Sequence, residues 1–368
     1  MQTRLLIYPL AICAVFIAWS RILFEADHLG YFVDEVLDNT YAIYNFFTIG
    51  NYSSPRFPEP FDSRITSGIW TTWPAGLVWV FHGNLLTQRP LLALWNFAQL
   101  WLLIVLFLRL YKFSLVKATA YSALVWLLIL RIPYWHGFLM NLGELPGILL
   151  LGFSLYCIRM NRPFLAFLII GITVWCCKFI YILVLPFWLF AYLYSKNYLN
   201  FNGIRKSFLL LFAFMVPLFI WQLIAALRFD LNTALNWYPK MLAFLIHGPS
   251  GLDPNSSKVT GLVSRLAHLE WSHYGILEKT KFLILLVGPI FIYFILQKLT
   301  LKLQITKTEN AFSLAVILSI FFYMIWWFLI HPDMYARHIQ PALYLGLGFY
   351  LFWGFRVFKP GFVIFLFM

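Results

Sequence analysis

Charged residues are scarce in this chain of 368 residues. Asp, Glu, Lys and Arg make up 11% of it, whereas soluble domains carry about 25%. A water-soluble protein of this length could not cover its surface with so few charges. Hydrophobic residues account for 62% and aromatic residues for 20%. The composition therefore excludes an ordinary soluble domain and favours a membrane protein, whose lipid-facing side chains are apolar.

Other features are also missing. The four cysteines, Cys13, Cys157, Cys176 and Cys177, all fall inside apolar runs, so neither a disulfide framework nor a zinc site is indicated. The Gly-rich phosphate loop of nucleotide-binding folds does not occur, and no internal repeat is visible. The net charge is +13, but the basic residues punctuate apolar runs and form no basic stripe. A nucleic-acid partner is therefore not expected.

Long apolar runs dominate what is present. A membrane-spanning helix needs ~20 mostly apolar residues, and ten stretches approach this requirement. The predicted spans are 5–24, 91–108, 118–135, 144–158, 163–177, 179–194, 208–226, 282–297, 311–330 and 340–355. No small-residue cleavage site follows the first run, so we predict that it is a retained span and not a signal peptide. We predict an all-α polytopic transmembrane helical bundle of about ten spans, forming a single integral membrane domain over 1–368.

The basic residues indicate an orientation. With the N-terminus in the cytoplasm, the cytoplasmic turns hold Arg4, Arg109, Lys112, Lys117, Arg159, Arg162, Lys196, Arg205, Lys206, Lys298, Lys302, Lys307, Arg356 and Lys359. Glu309 is the one acid among them, which is the positive-inside pattern. The other 13 acids lie on the opposite side or within helices. Acids hardly influence topology, so their one-sided placement indicates a functional face on the extracytoplasmic side of a plasma or inner membrane.

Two long segments lie on that outer side, at about 25–90 and about 228–281. Segments of this length are usually functional or disordered. The first contains apolar residues at helical spacing between Asp34 and Phe47. This spacing predicts an amphipathic helix that lies in the membrane interface.

Acidic residues open the first outer segment. Asp34 and Glu35 follow the first span, and Asp38 lies four residues after Asp34, on the same helical face. A carboxylate at the bilayer boundary can remove a proton from an acceptor hydroxyl or amine. The alternative interpretation is that these acids only favour the start of an interfacial helix.

Two further charges stand at the edges of apolar runs. Glu144 opens the fourth span from the outer side, and Lys178 is the one charge in about 30 apolar residues. Ionisable residues in such places indicate function by default. The alternatives are an acid at a helix N-terminus for Glu144 and a lysine that snorkels to the interface for Lys178.

A last polar segment lies between the ninth and tenth spans. It includes His331, and Arg337 stands where the tenth span begins. An Arg guanidinium binds phosphate through two parallel hydrogen bonds, and the N–H groups of a helix N-terminus add to an anion site. The alternative is a surface Arg that precedes a helix.

Together these features resemble the GT-C superfamily of integral membrane glycosyltransferases. The similar branch includes the protein O-mannosyltransferases and the aminoarabinose transferase for lipid A. In that family an acidic motif, matched here by Asp34-Glu35, follows the first span. The segment from Thr72 to Gly76 resembles the family's Pro-rich aromatic sequence, and Arg337 to Pro341 resembles its Arg-Tyr-x-x-Pro segment, with His338 in place of Tyr. Sparse motifs of this kind cover about residues 1–357.

The resemblance implies transfer of a sugar from a polyprenyl-phosphate donor to a lipid, glycan or protein acceptor. It implies an inverting reaction with Asp34, beside Glu35, as the general base. Lys178 and Arg337, with His331, are implied to bind the donor phosphate. Glu144 and Asp38 are implied to bind the acceptor or a divalent cation, and membrane lipids surround the helices.

Two other function classes stay open at this point. A transporter or flippase for lipid-linked glycans places ionisable residues near the bilayer midplane on broken helices, often in repeated halves. An O-antigen-type polymerase or ligase uses external Arg residues and a long loop but has no need of Asp34 and Glu35.

Overall fold

The computed structural model describes residues 2–28, 38–65, 67–110, 112–129, 139–140, 142–247, 276–303, 305–327 and 339–357. Within these ranges the chain is mostly helical and forms no β-strand. The α-helices are α1 (Gln2–His28), α2 (Tyr41–Ile49), α3 (Ile69–Val80), α4 (Leu85–Leu110), α5 (Leu115–Ile129), α6 (Glu144–Arg159), α7 (Pro163–Ile172), α8 (Leu185–Ser195), α9 (Phe201–Arg228), α10 (Leu231–His247), α11 (Ile276–Leu303), α12 (Lys307–Ile325) and α13 (Gln340–Val357).

Every predicted span falls on helical backbone over the part that the structure describes. Four helical stretches are long and apolar enough to cross a membrane. They are Tyr8–Glu25, Thr87–Leu110, Gly203–Arg228 and Lys307–Ile325. The chain therefore has the helices of a membrane protein, whereas the number of ten spans stays a prediction.

The first outer segment is more helical than its apolar spacing predicts. Residues 38–40 form a helical turn that leads into α2, which ends at Gly50 with a φ of 73°. The Pro-rich aromatic sequence lies inside α3, with Pro74 in the helix. Helix α4 begins six residues before the predicted span because its polar first turns are buried, Gln88 and Arg89 completely. The second outer segment contains α10.

Helix α6 lies among α4, α7 and α13, while α8 packs on α12 and α7 packs on α9. Gly171 allows the last contact, because a Cβ atom there would clash with the backbone carbonyl of Phe214. Between α7 and α8 the helix is interrupted. A π-helical turn, Thr173–Cys177, and a 3₁₀ helix, Phe179–Val184, stand on either side of Lys178.

Helix α6 separates two groups of polar side chains. It has 16 residues and is about 24 Å long at 1.5 Å per residue. We call its two termini the Glu144 end and the Arg159 end. At the Arg159 end, the Nη1 atom of Arg159 lies 2.9 Å from a carboxylate oxygen of Glu309. At the Glu144 end, Glu144 pairs with Lys178.

The same division holds beyond α6. Lys307 donates a hydrogen bond to the side chain of Asn197, so two turns predicted to be cytoplasmic meet each other. Lys240 pairs with Glu59, so the two long outer segments also meet each other. In both of these contacts the two residues belong to the same predicted side of the membrane.

Candidate functional site

The predicted site residues divide into two groups. Asp34, Glu35, His331 and Arg337 lie outside the described residues, and their roles stay predictions. Asp38, Glu144 and Lys178 are described. The structure joins Glu144 to Lys178, which lies 34 positions later in the sequence.

Glu144 and Lys178 form a buried ion pair. The Nζ atom of Lys178 lies 3.3 Å from Oε1 of Glu144, and the two side chains are 13% and 3% exposed. Lys178 therefore does not reach an open interface, as a snorkelling lysine would. Glu144 is the first residue of α6, as the helix N-terminal interpretation predicts.

The second carboxylate oxygen of Glu144 has no partner among the residues that the structure describes. Oε2 is buried, and no hydrogen-bond donor reaches it within the described part of the chain. A buried acceptor left without a donor costs about 1–3 kcal/mol, so such atoms are rare in native proteins. This oxygen is therefore available to a hydroxyl group or a cation that enters the site.

Backbone contacts hold Lys178 at this position. Lys178 has an extended conformation, with φ of −150° and ψ of 121°, and forms an antiparallel bridge with Ser67. The N–H of Gly68 donates to the carbonyl of Cys177 over 2.9 Å. These bonds satisfy backbone groups that the interrupted helix leaves open.

Two glycines make this contact possible. A Cβ atom on Gly68 would lie 2.5 Å from the carbonyl carbon of Cys176, and one on Gly143 would clash with the carbonyl oxygen of Cys177. The first outer segment and the start of α6 can thus both reach the backbone beside Lys178. The sequence contains these glycines, but nothing in their local pattern indicates what they approach.

Two tyrosines hold the other side of the pair. The hydroxyl of Tyr181 donates to the backbone carbonyl of Glu144, and that of Tyr323 donates to the carbonyl of Ile180 over 3.0 Å. Their rings meet edge to face with centroids 6.4 Å apart. These bonds hold the 3₁₀ helix against the start of α6 on one side and against α12 on the other.

Asp38 has partners of its own. Its Oδ1 accepts a hydrogen bond from the hydroxyl of Ser54 and its Oδ2 pairs with Nη1 of Arg56, both at 3.3 Å. The residue is 4% exposed. Asp38 thus ties the start of the α2 region to the loop that follows α2.

That loop carries a network of charged residues that are not among the predicted site residues. Arg64 pairs with Asp62 at 2.6 Å and with Glu59 at 3.6 Å, and Glu59 also binds Lys240 from α10. The hydrogen bonds that Arg64 donates to Asp62 raise the pKa of the Arg64 guanidinium, which therefore keeps its charge. In the sequence, this network is indicated by the similar numbers of acidic and basic residues predicted outside the cytoplasm.

A buried tyrosine connects the loop to the ion pair. The hydroxyl of Tyr52 donates to the carbonyl of Ser67, whose backbone pairs with Lys178. Burial raises the pKa of Tyr52 well above its ordinary value, so its hydroxyl stays protonated and keeps donating. Asp62 is connected to the same hydrogen bonds, because its backbone N–H donates to the carbonyl of Tyr52 over 3.1 Å.

A small cleft is lined by Phe179, the residue that follows Lys178 in the chain. Its volume is about 40 Å³, and its walls include Trp175, Trp221, Trp237, Asp62 and Ser63. The Ser63 hydroxyl is buried without a hydrogen-bond partner in the described part of the chain. This volume is well below that of ligand pockets, about 300–1,000 Å³, so the cleft has room for little more than ordered water.

The arrangement offers a cation and a carboxylate at one end of the helices. Lys178 can stabilise negative charge, and Glu144 can accept a hydrogen bond or bind a metal ion. Within the described residues, no group of three or more His, Cys, Asp or Glu side chains gathers at one place. The divalent cation that the family resemblance implies stays a prediction.

Comparison of the chain with protein-family models, with curated proteins and with solved structures finds no match.

Proposed function

We propose that the chain is a membrane glycosyltransferase. It moves a sugar from a polyprenyl-phosphate donor to a lipid, glycan or protein acceptor on the extracytoplasmic side of the membrane. The observation that carries this proposal is the buried pair of Glu144 and Lys178, in which one carboxylate oxygen has no hydrogen-bond donor among the described residues.

The pair suits a donor whose leaving group is a lipid phosphate. Departure of the phosphate builds negative charge on oxygen, and a fixed ammonium group in a water-poor site stabilises that charge. Lys178 is fixed by its extended backbone and its bridge to Ser67, so it need not reorganise when the charge appears. The free oxygen of Glu144 accepts a hydrogen bond from a hydroxyl of the sugar or acceptor.

Proton removal is assigned to Asp34. The acceptor hydroxyl gives its proton to this carboxylate while its oxygen bonds to the anomeric carbon. The bond from that carbon to the phosphate oxygen breaks on the opposite face, which inverts the configuration. Asp38, four residues later, supports this assignment because its bonds to Ser54 and Arg56 anchor the start of the α2 region.

The orientation follows from charge. The basic turns at the Arg159 end are expected in the cytoplasm, so the Glu144 end faces outward. A polyprenyl donor presents its sugar at the membrane surface with its tail among the helices. An ion pair at the helix ends, beside aromatic side chains, suits such a substrate.

The test uses purified protein in liposomes and a panel of synthetic polyprenyl-phosphate hexoses and pentoses. The wild-type chain should release polyprenyl phosphate from at least one donor when membrane extract supplies the acceptor. Asp34→Asn should abolish release, and Glu144→Gln should lower it by about 100-fold, the usual size of a lost transition-state contact. The control Glu309→Gln, at the Arg159 end, should retain the wild-type rate.

Full activity of Glu144→Gln in folded protein would refute the role of the ion pair. The interrupted helix around Lys178 also fits a transporter, in which broken helices surround the substrate site. The same liposomes distinguish the two functions. A transporter moves labelled donor across the sealed membrane without releasing polyprenyl phosphate, and Asp34→Asn leaves that movement unchanged.

A further inference from the structure

A cavity of about 490 Å³ lies between α4, α6, α8, α12 and α13. Its walls are mostly carbon, with Leu103 on α4, Leu149 and Leu155 on α6, and Phe312 on α12. This volume is in the range of ligand pockets, about 300–1,000 Å³. Apolar cavities do not hold ordered water, because water there lacks hydrogen-bond partners.

The cavity extends along α6. Its lining runs from Leu145, next to Glu144, to Arg159 at the other end of the helix. These residues are about 21 Å apart at 1.5 Å per residue. Half of a bilayer's hydrocarbon core is about 15 Å thick, so the cavity can hold one extended hydrocarbon chain.

Charge is concentrated at the Arg159 end of this cavity. Arg159, Lys196 and Glu309 line it there, beside the threonines Thr306 and Thr308, and the three charged residues give a formal net charge of +1. Arg159 pairs with Glu309 but remains 33% exposed. At the Glu144 end, by contrast, the charge of Lys178 is balanced by Glu144.

We propose that this cavity is a binding site for an anionic membrane phospholipid. One acyl chain lies between the helices, and the phosphate headgroup lies at Arg159 and Lys196. The cationic end selects the headgroup, and the apolar walls hold the chain. The site is distinct from the Glu144 end and does not depend on the proposed sugar transfer.

One glycine allows the cavity to be filled by mutation. A Cβ atom on Gly348, which lines the cavity on α13, would meet no heavy atom within 4 Å. A leucine there can extend into the space that the acyl chain would occupy. An alanine adds one methyl group and leaves most of the space open, so Gly348→Ala is the matched control.

The experiment places purified protein in nanodiscs of phosphatidylcholine with or without phosphatidylglycerol and identifies retained lipids by native mass spectrometry. We expect one retained phosphatidylglycerol per wild-type chain. Gly348→Leu should lose it and Gly348→Ala should keep it. Lys196→Gln should lower the preference over phosphatidylcholine about five-fold, which corresponds to ~1 kcal/mol for one lysine at an anionic headgroup.

Lys206→Gln is the control for charge. Lys206 is also predicted to be cytoplasmic, but it lies on α9 over the ring of Tyr198, away from the cavity lining. It should keep the wild-type preference. Circular dichroism checks that each variant is folded, and Lys196→Gln still tests the proposal if Gly348→Leu does not fold.

Three results would overturn the proposal. Equal retention of phosphatidylcholine and phosphatidylglycerol would exclude selection of the headgroup. Retention of the lipid by folded Gly348→Leu would place it elsewhere. Displacement of phosphatidylglycerol by polyprenyl phosphate would assign the cavity to the tail of the donor instead.

Discussion

The two ends of α6 each carry an ion pair with a buried glutamate, and the two glutamates differ in their hydrogen bonds. At the Arg159 end, Oε1 of Glu309 binds Arg159 at 2.9 Å, while Oε2 accepts from the N–H and hydroxyl of Thr306 at 2.9 and 3.0 Å. At the Glu144 end, Oε1 faces Lys178 at 3.3 Å and Oε2 has no donor among the described residues.

This difference separates a structural role from a functional one. Glu309 closes a capping box at the start of α12, so both of its oxygens serve the fold. Glu144 has one buried oxygen that no described residue bonds, and an unsatisfied acceptor in such a place is costly. Burial of an acid is therefore a weaker sign of a ligand site than burial combined with an unsatisfied oxygen.

The largest expected effect on stability comes from breaking the Glu144 pair. Lys178→Met leaves a carboxylate that is 3% exposed without its cation, and removing one partner of a buried pair costs about 3–5 kcal/mol. The double variant Lys178→Met/Glu144→Gln should recover most of that loss, because neither remaining side chain is charged. Titration with sodium dodecyl sulfate in mixed micelles measures the free energy of unfolding. A single variant as stable as the wild type would show that water already solvates Glu144.

An intermediate effect is expected from the glycine beside Glu144. A Cβ atom in Gly143→Ala would clash with the carbonyl of Cys177, a backbone atom that cannot turn aside. Overpacking of this kind costs about 1–3 kcal/mol. Gly348→Ala is the control, since its methyl group meets open space and a helical alanine gains about 0.5–1 kcal/mol over glycine. Thermal unfolding in detergent compares them, and equal midpoints would contradict the close approach.

The sequence predicts the helices of both ends of α6 but not the contacts that distinguish them. Apolar runs predict helices well, because burial in a membrane needs little more than length and hydropathy. The distribution of basic residues predicts that Glu144 and Lys178, each at the edge of an apolar stretch, lie on the same side of the membrane. The sequence does not indicate that they pair, because the pair depends on the extended backbone at Lys178.

The extended backbone depends on distant contacts. Gly68 bonds to Cys177, which is 109 positions away, and Ser67 bridges to Lys178. Local propensity cannot reveal contacts over such separations. The early start of α4 has a related cause, because the buried side chain of Gln88 forms hydrogen bonds with Trp79 and Thr40 from neighbouring segments.

The smallest effect is expected at the Arg159 end. Glu309→Ala removes the capping box, worth about 1 kcal/mol, and a pair whose Arg is 33% exposed, worth at most about 1 kcal/mol after solvent screening. Thr306→Val removes the cap alone and Arg159→Gln removes the pair alone, so unfolding of these variants separates the two contributions.

Polyprenyl-phosphate binding should stay unchanged in all three, because the Glu144 end is intact. A loss in Arg159→Gln as large as that in Lys178→Met would mean that the remaining carboxylate of Glu309 is as poorly solvated as that of Glu144. The contrast between the two ends would then rest on the unsatisfied oxygen alone.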